Sequence, residues 1–251
     1  GWDEAHMVYN FALPALVLHT FYREDSRAIS RWAAGIRLPS GMATFFNILD
    51  THDGIGLEGA KEILSGEDIA FLIKTAKDRG ASISFKMAED RTEEPYEINT
   101  TWWSAVNEDK GREDRKRQVK RYVASRSLAL VIQGVPGIYV HGFMGTANDH
   151  QRAEETGVKR DMNRGFISSE EVERELADHD SKLFLIRRYS TRLYLTRIRH
   201  RAFHPRGFQK ILHLCPEVFA VVRHSPEGDE HIFAVTNVTG MATRLEVPLS
   251  E

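Results

Sequence analysis

The chain has 251 residues, of which 41% are hydrophobic and 28% charged, as in one large globular domain or one and a half. A formal net charge of −2 argues against a general nucleic-acid-binding protein, and no apolar run approaches the roughly 20 residues of a membrane-spanning helix. One cysteine, Cys215, excludes an intrachain disulfide framework and suits a reducing compartment, so we expect a cytoplasmic protein.

The start of the chain predicts a βαβ unit, in which two parallel strands flank helices. A β-prone segment over residues 6–12 precedes Pro14, which is typical of the first turn of a helix because its missing N–H has no partner there. Helices over 15–22 and 27–35 lead to a short apolar strand over 45–49. Because a strand begins so close to the N-terminus, we expect the chain to start inside a larger fold.

The segment over residues 54–110 is mixed and is predicted to be an insertion between that strand and its returning helix. Helices are expected over 57–64 and 67–79, with Gly80 at the end of the second. A brief β-like piece over 82–85 and an acidic loop follow.

The clearest helical periodicity of the chain covers residues 117–133, and glycine and proline residues then separate it from a second buried strand over 137–140. A loop over 141–165 is predicted without secondary structure, which in a compact domain favours a functional segment. Two helices follow, one after the capping box that begins at Ser168 and one over 181–203.

The pattern changes after residue 205, where short strands separated by turns indicate a small antiparallel sheet. Three strands are predicted: 218–223, 232–238 and 243–247. We therefore divide the chain into an α/β domain over 1–205, which contains the insertion, and an antiparallel β domain over 206–251.

Polar side chains follow the predicted strands over 45–49 and 137–140. Asp50, His52 and Asp53 come after the strand over 45–49. Further candidates lie in the loop after the strand over 137–140 and in the insertion: Asn148, Asp149, Arg160, Asp161, Arg164, Tyr96, Glu97 and Asn99. Because the carboxyl ends of parallel strands meet at one edge of a sheet, we expect the first two groups to share one face, as in barrel enzymes.

Residue types alone leave three interpretations open. His52 with the two aspartates could hold a metal ion, although the spacing matches no familiar zinc pattern. Asp50 could instead cap the turn, with His52 satisfied in the core. Carboxylates beside aromatic side chains also suit sugar chemistry, in which they stabilise an oxocarbenium-like transition state. A Ser-His-Asp site is set aside because no serine stands in a nucleophile-elbow context.

The stretch Leu49–Gly56, Leu-Asp-Thr-His-Asp-Gly-Ile-Gly, resembles the seventh-strand motif of the sucrose phosphorylases and their relatives in glycoside hydrolase family 13, the α-amylase superfamily. Other stretches resemble the sixth strand, a mobile active-site loop, the eighth strand and the loop after it: Val8–Pro14, Tyr96–Thr101, Gly134–Tyr139, Asn148–Asp149 and Arg160–Arg164. The β domain is similar to the C-terminal domain of the superfamily, so the resemblance covers nearly the whole chain.

The resemblance implies an α/β fold, the C-terminal part of a (β/α)8 TIM barrel with about strands 6 to 8, an inserted subdomain and a small antiparallel β domain. It implies a glycosyltransferase-type enzyme of carbohydrate metabolism, a retaining α-glucoside phosphorylase. Such an enzyme moves a glucosyl unit between an α-glucoside and inorganic phosphate, giving glucose 1-phosphate. The expected partners are a small sugar and phosphate as co-substrate, without organic cofactor, metal, nucleic acid or membrane.

The resemblance also assigns roles to residues. Asp53 would be the catalytic carboxylate that stabilises the transition state. Five residues would bind substrate: His52, Tyr96, Glu97, Asp149 and Arg160. Tyr96 and Glu97 would lie on the loop that exchanges acceptor and phosphate. Glu97 departs from the glutamine of the sucrose enzymes, and because a carboxylate repels phosphate, the change favours glycerate or glycerol over fructose as the acceptor.

The two other catalytic carboxylates of the family follow its fourth and fifth strands, and the matching order in this chain begins only at the sixth. Retention requires both carboxylates, about 5–5.5 Å apart. We therefore expect the chain alone to be inactive, and its open sheet edges to be covered by the missing half of the barrel or by self-association. Two rival functions remain: a hydrolase or transglucosidase of the same superfamily, and a non-catalytic carbohydrate-binding remnant.

Overall fold

A computed structural model describes residues 5–38, 40–88, 91–108 and 113–247. This part of the chain contains three separate three-stranded sheets, one parallel and two antiparallel, with helices packed between them. None of its helices has the length and apolar character needed to cross a membrane.

The parallel sheet has the order β1–β2–β6. Strand β1 (Met7–Tyr9) pairs with β2 (Thr44–Asn47), and β2 pairs with β6 (Val135–Pro136). Helices α1 (Leu13–Arg23) and α2 (Arg27–Ala34) connect the first two strands. The predicted βαβ unit is therefore confirmed.

The core lies between this sheet and its helices. Helix α1 carries a proline in its first turn and is buried on almost every face, because helix α6 (Arg115–Val131) and the inserted segment pack around it. The long helix α10 (Lys182–Arg199) packs along α6. Trp102 is fully buried beside them and donates from its indole nitrogen to Ser125 Oγ at 2.9 Å. A large side chain buried in this way contributes about 1.5–3 kcal/mol to the stability of the fold.

The insertion forms the second sheet, of order β3–β5–β4. Its elements follow in chain order: β3 (Ile55–Gly56), α3 (Glu58–Lys61), α4 (Gly66–Asp78), β4 (Ser82–Met87), β5 (Glu93–Asn99) and α5 (Trp102–Val106). Helices α3 and α4 were predicted, as was the position of β4, whereas β5 and α5 were not. Because β5 pairs with β3, Glu97 lies directly opposite Gly56. Gly56 follows the polar residues 50–53 that come after β2.

The strand predicted over residues 137–140 lies two residues earlier, as β6, since residues 137–140 do not form a strand. The reason is local crowding at the end of β2. Asn47 O accepts the last bond of the ladder from Gly137 N at 2.9 Å, and the Phe46 ring occupies the space that a side chain at residue 137 would need. The chain then leaves the sheet, and α7 (Val140–Met144) begins.

The segment over 141–165 is not the unstructured loop that was predicted. It contains most of α7, then α8 (His150–Thr156) and a 3₁₀ turn over Lys159–Asn163. Gly145 ends α7 and Gly157 ends α8, both at positive φ, a conformation that glycine adopts without a steric penalty.

The third sheet is antiparallel, with β8 at its centre: β7 (Phe208–Leu212), β8 (Val218–His224) and β9 (His231–Asn237). Two of its strands were predicted, but the third was placed wrongly, because residues 243–247 are not a strand and β7 takes that role. Strand β8 pairs with a strand on each side and is buried over Val218–Val221.

Helix α9 (Ser169–Ala177) begins as predicted, with Ser168 Oγ accepting from Glu171 N. The domain boundary at 205/206 stays a prediction.

Candidate active site

A cleft of about 540 Å³ opens at the carboxyl end of β2. One wall consists of the segment that follows the strand, residues 49–56, together with Glu97 from β5. The other wall is aromatic and is formed by four side chains: Tyr9, Phe11, Phe46 and Tyr139. A mostly apolar cleft of this size with a few polar groups suits a small polar ligand with flat hydrophobic faces.

The Asp53 carboxylate stands at the mouth of the cleft, and its side chain is 42% exposed. Arg160 Nη1 lies 2.9 Å and Arg164 Nη2 3.3 Å from Asp53 Oδ1. On the other side, His52 Nε2 lies 3.6 Å from Asp53 Oδ2, and the imidazole is 68% exposed. Two guanidinium groups therefore hold the carboxylate in place while one of its faces stays open to the cleft.

Arg160 also binds the predicted acceptor-loop residue Glu97, whose side chain is only 6% exposed. Arg160 Nε donates to Glu97 Oε1 at 3.0 Å and Nη2 donates to Oε2 at 2.8 Å, which is the two-pronged geometry that arginine forms with carboxylates. Hydrogen bonding to Glu97 raises the pKa of Arg160, so the guanidinium stays charged. Arg160 thus bridges Asp53 and Glu97.

The backbone of the Thr51–Asp53 loop is fixed by the 3₁₀ turn of residues 159–163 and by Arg164 after it. Asn163 Nδ2 donates to the carbonyl oxygens of Thr51 at 3.2 Å and Asp53 at 2.8 Å. Arg164 Nε donates to His52 O at 2.7 Å. Arg164 was a candidate from the sequence, whereas Asn163, whose side-chain amide nitrogen donates only to backbone here, was given no role.

A glycine is required directly after this loop. A Cβ atom at Gly54 would lie 2.6 Å from Ile98 O and would overlap the Glu97 side chain. The close approach of β5 to this glycine is what brings Glu97 within reach of Arg160.

The other two sequence-predicted residues lie at the edge of the site. The Tyr96 side chain is half-buried on β5 and is not among the residues that line the cleft. Asp149 is the N-cap of α8, where its carboxylate accepts from Arg152 N at 2.9 Å, and it does not line the cleft around Asp53. The structure therefore brings together four of the six predicted residues directly: His52, Asp53, Glu97 and Arg160.

The structure does not fit the interpretation in which Asp50 caps the turn and His52 lies in the core. Asp50 pairs with the buried Arg126 on α6 and does not cap the turn, and His52 is exposed rather than part of the core. Within the described ranges no three histidine, cysteine, aspartate or glutamate side chains converge as metal ligands. The geometry favours the interpretation based on sugar chemistry.

The aromatic wall was not predicted as a unit, although its members stand at strand ends in the sequence. The Tyr9 and Phe11 rings stack with centroids 5.4 Å apart, and the Phe46 ring meets Tyr9 edge-on at 5.2 Å. Phe11 is 68% exposed, which leaves its face available to a ligand. Exposed, mutually supported rings next to a carboxylate form a surface on which the apolar face of a sugar can pack.

No family model matches the chain, but individual proteins do. A glucosylglycerate phosphorylase of Spirochaeta thermophila is 39% identical over 248 residues, 99% of this chain and 42% of the relative. Another glucosylglycerate phosphorylase, of Allomeiothermus silvanus, is 39% identical over 239 residues, 95% of this chain and 42% of the relative. A sucrose phosphorylase of Streptococcus mutans is 32% identical over 176 residues, 69% of this chain and 34% of the relative. The chain belongs to the sucrose phosphorylase-like α-glucoside phosphorylases of glycoside hydrolase family 13.

The fold agrees with this membership. The crystal structure of a sucrose 6F-phosphate phosphorylase from Thermoanaerobacter thermosaccharolyticum superimposes with a TM-score of 0.73 at 22% identity. The superposition covers 92% of this chain and 43% of that phosphorylase. The sequence relatives confirm the predicted family, and the superposition confirms an α/β fold with an added antiparallel sheet. The chain spans less than half the length of the curated phosphorylases that it matches.

Proposed function

We propose that the chain is the C-terminal part of a retaining α-glucoside phosphorylase, with β1, β2 and β6 as strands 6, 7 and 8 of a (β/α)8 barrel. In this proposal the enzyme transfers a glucosyl unit between an α-glucoside and inorganic phosphate and gives glucose 1-phosphate. One observation carries the proposal: the Asp53 carboxylate stands at the mouth of an aromatic-walled cleft and is held there by Arg160 and Arg164.

Asp53 acts in this proposal through charge and hydrogen bonding. Its open face accepts hydrogen bonds from sugar hydroxyls, and its negative charge stabilises the oxocarbenium-like transition state. The exposed His52 imidazole stands beside it as a second hydrogen-bonding group. The nucleophile and the acid/base carboxylate of the double displacement come from outside these 251 residues, so the chain alone does not turn over substrate.

A glucoside of the glucosylglycerate type is the substrate we favour. The two relatives with the highest identity cited above bear the name glucosylglycerate phosphorylase. Glu97 supports a difference from the sucrose enzymes, because it places a carboxylate where they have a neutral amide. Glucosylglycerol and sucrose are the alternatives within the same reaction.

The test is a phosphorolysis assay on the full-length protein that contains this chain. We would incubate it with phosphate and each of the three glucosides and measure glucose 1-phosphate. Asp53→Asn should lower kcat by about 10²–10³, the usual cost of removing one preorganised group that stabilises transition-state charge. Asp180→Asn is the matched control, because the Asp180 side chain is 83% exposed, and its kcat should match the parent.

Other outcomes identify the rival functions. Free glucose without glucose 1-phosphate would indicate a hydrolase of the same superfamily. Sugar binding without turnover of any α-glucoside would indicate a carbohydrate-binding remnant. Phosphorolysis by the 251-residue chain alone would contradict the assignment of the two missing carboxylates to the rest of the protein.

A further inference from the structure

A buried ion pair contains Asp50, the residue directly before the active-site loop. Arg126 on α6 and Asp50 after β2 are both 6% exposed in their side chains. Arg126 Nη1 lies 3.2 Å from Asp50 Oδ1 and 3.3 Å from Oδ2, and Arg126 Nη2 lies 3.2 Å from Oδ1. Two nitrogens of one guanidinium therefore bind one carboxylate, and no role in substrate contact accounts for Arg126.

The pair is packed against the backbone of a third element. Tyr122 on α6 donates from its hydroxyl to Gly142 O on α7, and Arg126 Nη1 lies 3.4 Å from the Tyr122 oxygen. A Cβ atom at Gly142 would lie 2.7 Å from both Arg126 Nη1 and Asp50 Oδ1. The end of β2, helix α6 and helix α7 consequently meet at this cluster with no free space between them.

Stability alone is a weak explanation for such a pair. Desolvation of two charges offsets much of their attraction, and well-packed apolar residues in the same place are often equally stable. Burial raises the pKa of the Asp50 carboxyl, and the guanidinium beside it opposes that shift. What the charged pair provides is directional: the two-nitrogen contact permits one orientation of the carboxylate, and hence one position of the backbone that follows it.

We propose that Asp50 and Arg126 are positioning residues that set where the Thr51–Asp53 loop stands in the cleft. Asp50 precedes this loop directly, and Asn163 and Arg164 donate hydrogen bonds to the loop backbone. The ion pair and these hydrogen bonds thus fix the loop that carries the Asp53 carboxylate. This inference rests on the proposed function for its kinetic consequence, but the position of the loop can be measured without it.

The decisive variant is Arg126→Lys in the full-length protein. Lysine keeps the positive charge and the charge balance, but it offers one nitrogen and cannot bind the carboxylate with two parallel bonds. We expect kcat to fall about tenfold while KM for the glucoside stays within about twofold, because small displacements of a catalytic group act on the rate. Arg174→Lys is the control, since Arg174 is 75% exposed, and it should leave both constants unchanged.

A second readout does not depend on activity. The ring signals of His52, assigned by their loss in His52→Gln, report on the loop because the imidazole lies 3.6 Å from the Asp53 carboxylate. With histidine-labelled protein we expect Arg126→Lys to shift the His52 signals and Arg174→Lys to leave them unchanged. The melting temperature of each variant shows whether the fold is retained.

The outcomes separate the two proposals. A parent protein that makes no glucose 1-phosphate refutes the proposed function, and the His52 signals still decide on the positioning pair. Unshifted His52 signals in Arg126→Lys would overturn the positioning role of the pair. If the parent is active, an Arg126→Lys kcat equal to that of the parent would also overturn it. If Arg126→Lys fails to fold, the neutral double variant Asp50→Asn/Arg126→Gln replaces it. A double variant with the stability and the kcat of the parent would overturn the inference.

Discussion

Arg160 is the residue at which the two polar parts of the cleft meet. Its guanidinium gives two nitrogens to Glu97 and the third to Asp53, so a single side chain links the inserted sheet to the end of β2. Lysine could not reproduce this arrangement, because it is a single point charge without the planar fork. The position of Asp53 and the charge at Glu97 are therefore coupled through one group.

Replacing Glu97 with glutamine tests what the carboxylate does to phosphate. The substitution removes one negative charge next to the cleft and keeps a hydrogen-bonding oxygen for Arg160. Two like charges about 4 Å apart repel by at least about 1 kcal/mol, so we expect KM for phosphate to fall about fivefold or more. Initial rates at varied phosphate measure it, with the exposed Glu173→Gln as the control. An unchanged or higher KM for phosphate in Glu97→Gln would show that Arg160 already neutralises the carboxylate.

Among the elements, the long helices were predicted well, whereas the short helices α5, α7 and α8 and several short strands were not. Proline in the first turn of α1 and the apolar period of α6 act within one helix, so the sequence contains the whole signal. Strand β6 has two residues and no period, and contacts elsewhere in the chain determine its position. Asn47 donates to the carbonyl oxygens of Ile132 at 3.3 Å and Gln133 at 3.2 Å, which sets the register beside β2.

The candidate site divides in the same way. His52 and Asp53 come from one short motif, and Glu97 and Arg160 from two more, so resemblance to a family is enough to predict them. Arg126 could not be predicted, because it lies 76 residues from Asp50 and only packing brings the two together. The roles of all six predicted site residues stay predictions until variants are assayed.

Helix α7 provides a test of how tightly the site is packed. Gly142→Ala adds a Cβ atom 2.7 Å from Arg126 Nη1, and neither side of this buried cluster has room to move. We expect the free energy of unfolding to fall by about 1–3 kcal/mol, as for other overpacked positions. Gly66→Ala is the matched control, because nothing lies within 4 Å of a Cβ atom there. Chemical denaturation of both variants gives the comparison, and equal stability would mean that α7 can shift away from the pair.

The third sheet contains a titrating group that should make the protein sensitive to acid. Burial, followed by the charges of His231, Arg223 and Lys210, lowers the pKa of His224. An unfolded histidine has a pKa near about 6.5, so below that pH the unfolded chain binds the proton first and stability falls. Between pH 7.5 and 5.5, the melting temperature of His224→Gln should therefore fall less than that of the parent, as measured by calorimetry. The exposed His213→Gln should behave like the parent, and an equal acid sensitivity of all three proteins would contradict the assignment.

At the scale of the whole molecule, the parallel sheet is unusually open. Within the described residues β1 and β6 each pair on one side only, with β2. Large apolar side chains are exposed in and next to the strands of this sheet and in α7: Met7, Val8, Tyr9, Phe11, Met42, Ile138, Val140 and Phe143. Edge strands with unpaired backbone groups and exposed apolar side chains are templates for pairing with another chain.

The 251-residue chain is therefore expected to associate with itself, forming species larger than its 28.6 kDa monomer in a concentration-dependent way. Val8→Lys should weaken this association, because a charged lysine on an edge strand opposes pairing with a second strand. The control is Ile198→Lys, where a side chain with 76% exposure lies on helix α10 and not on a strand. Sedimentation velocity over a range of concentrations distinguishes the variants. A parent chain that stays monomeric throughout, or an equal effect of both lysines, would show that the edge of β1 does not drive association.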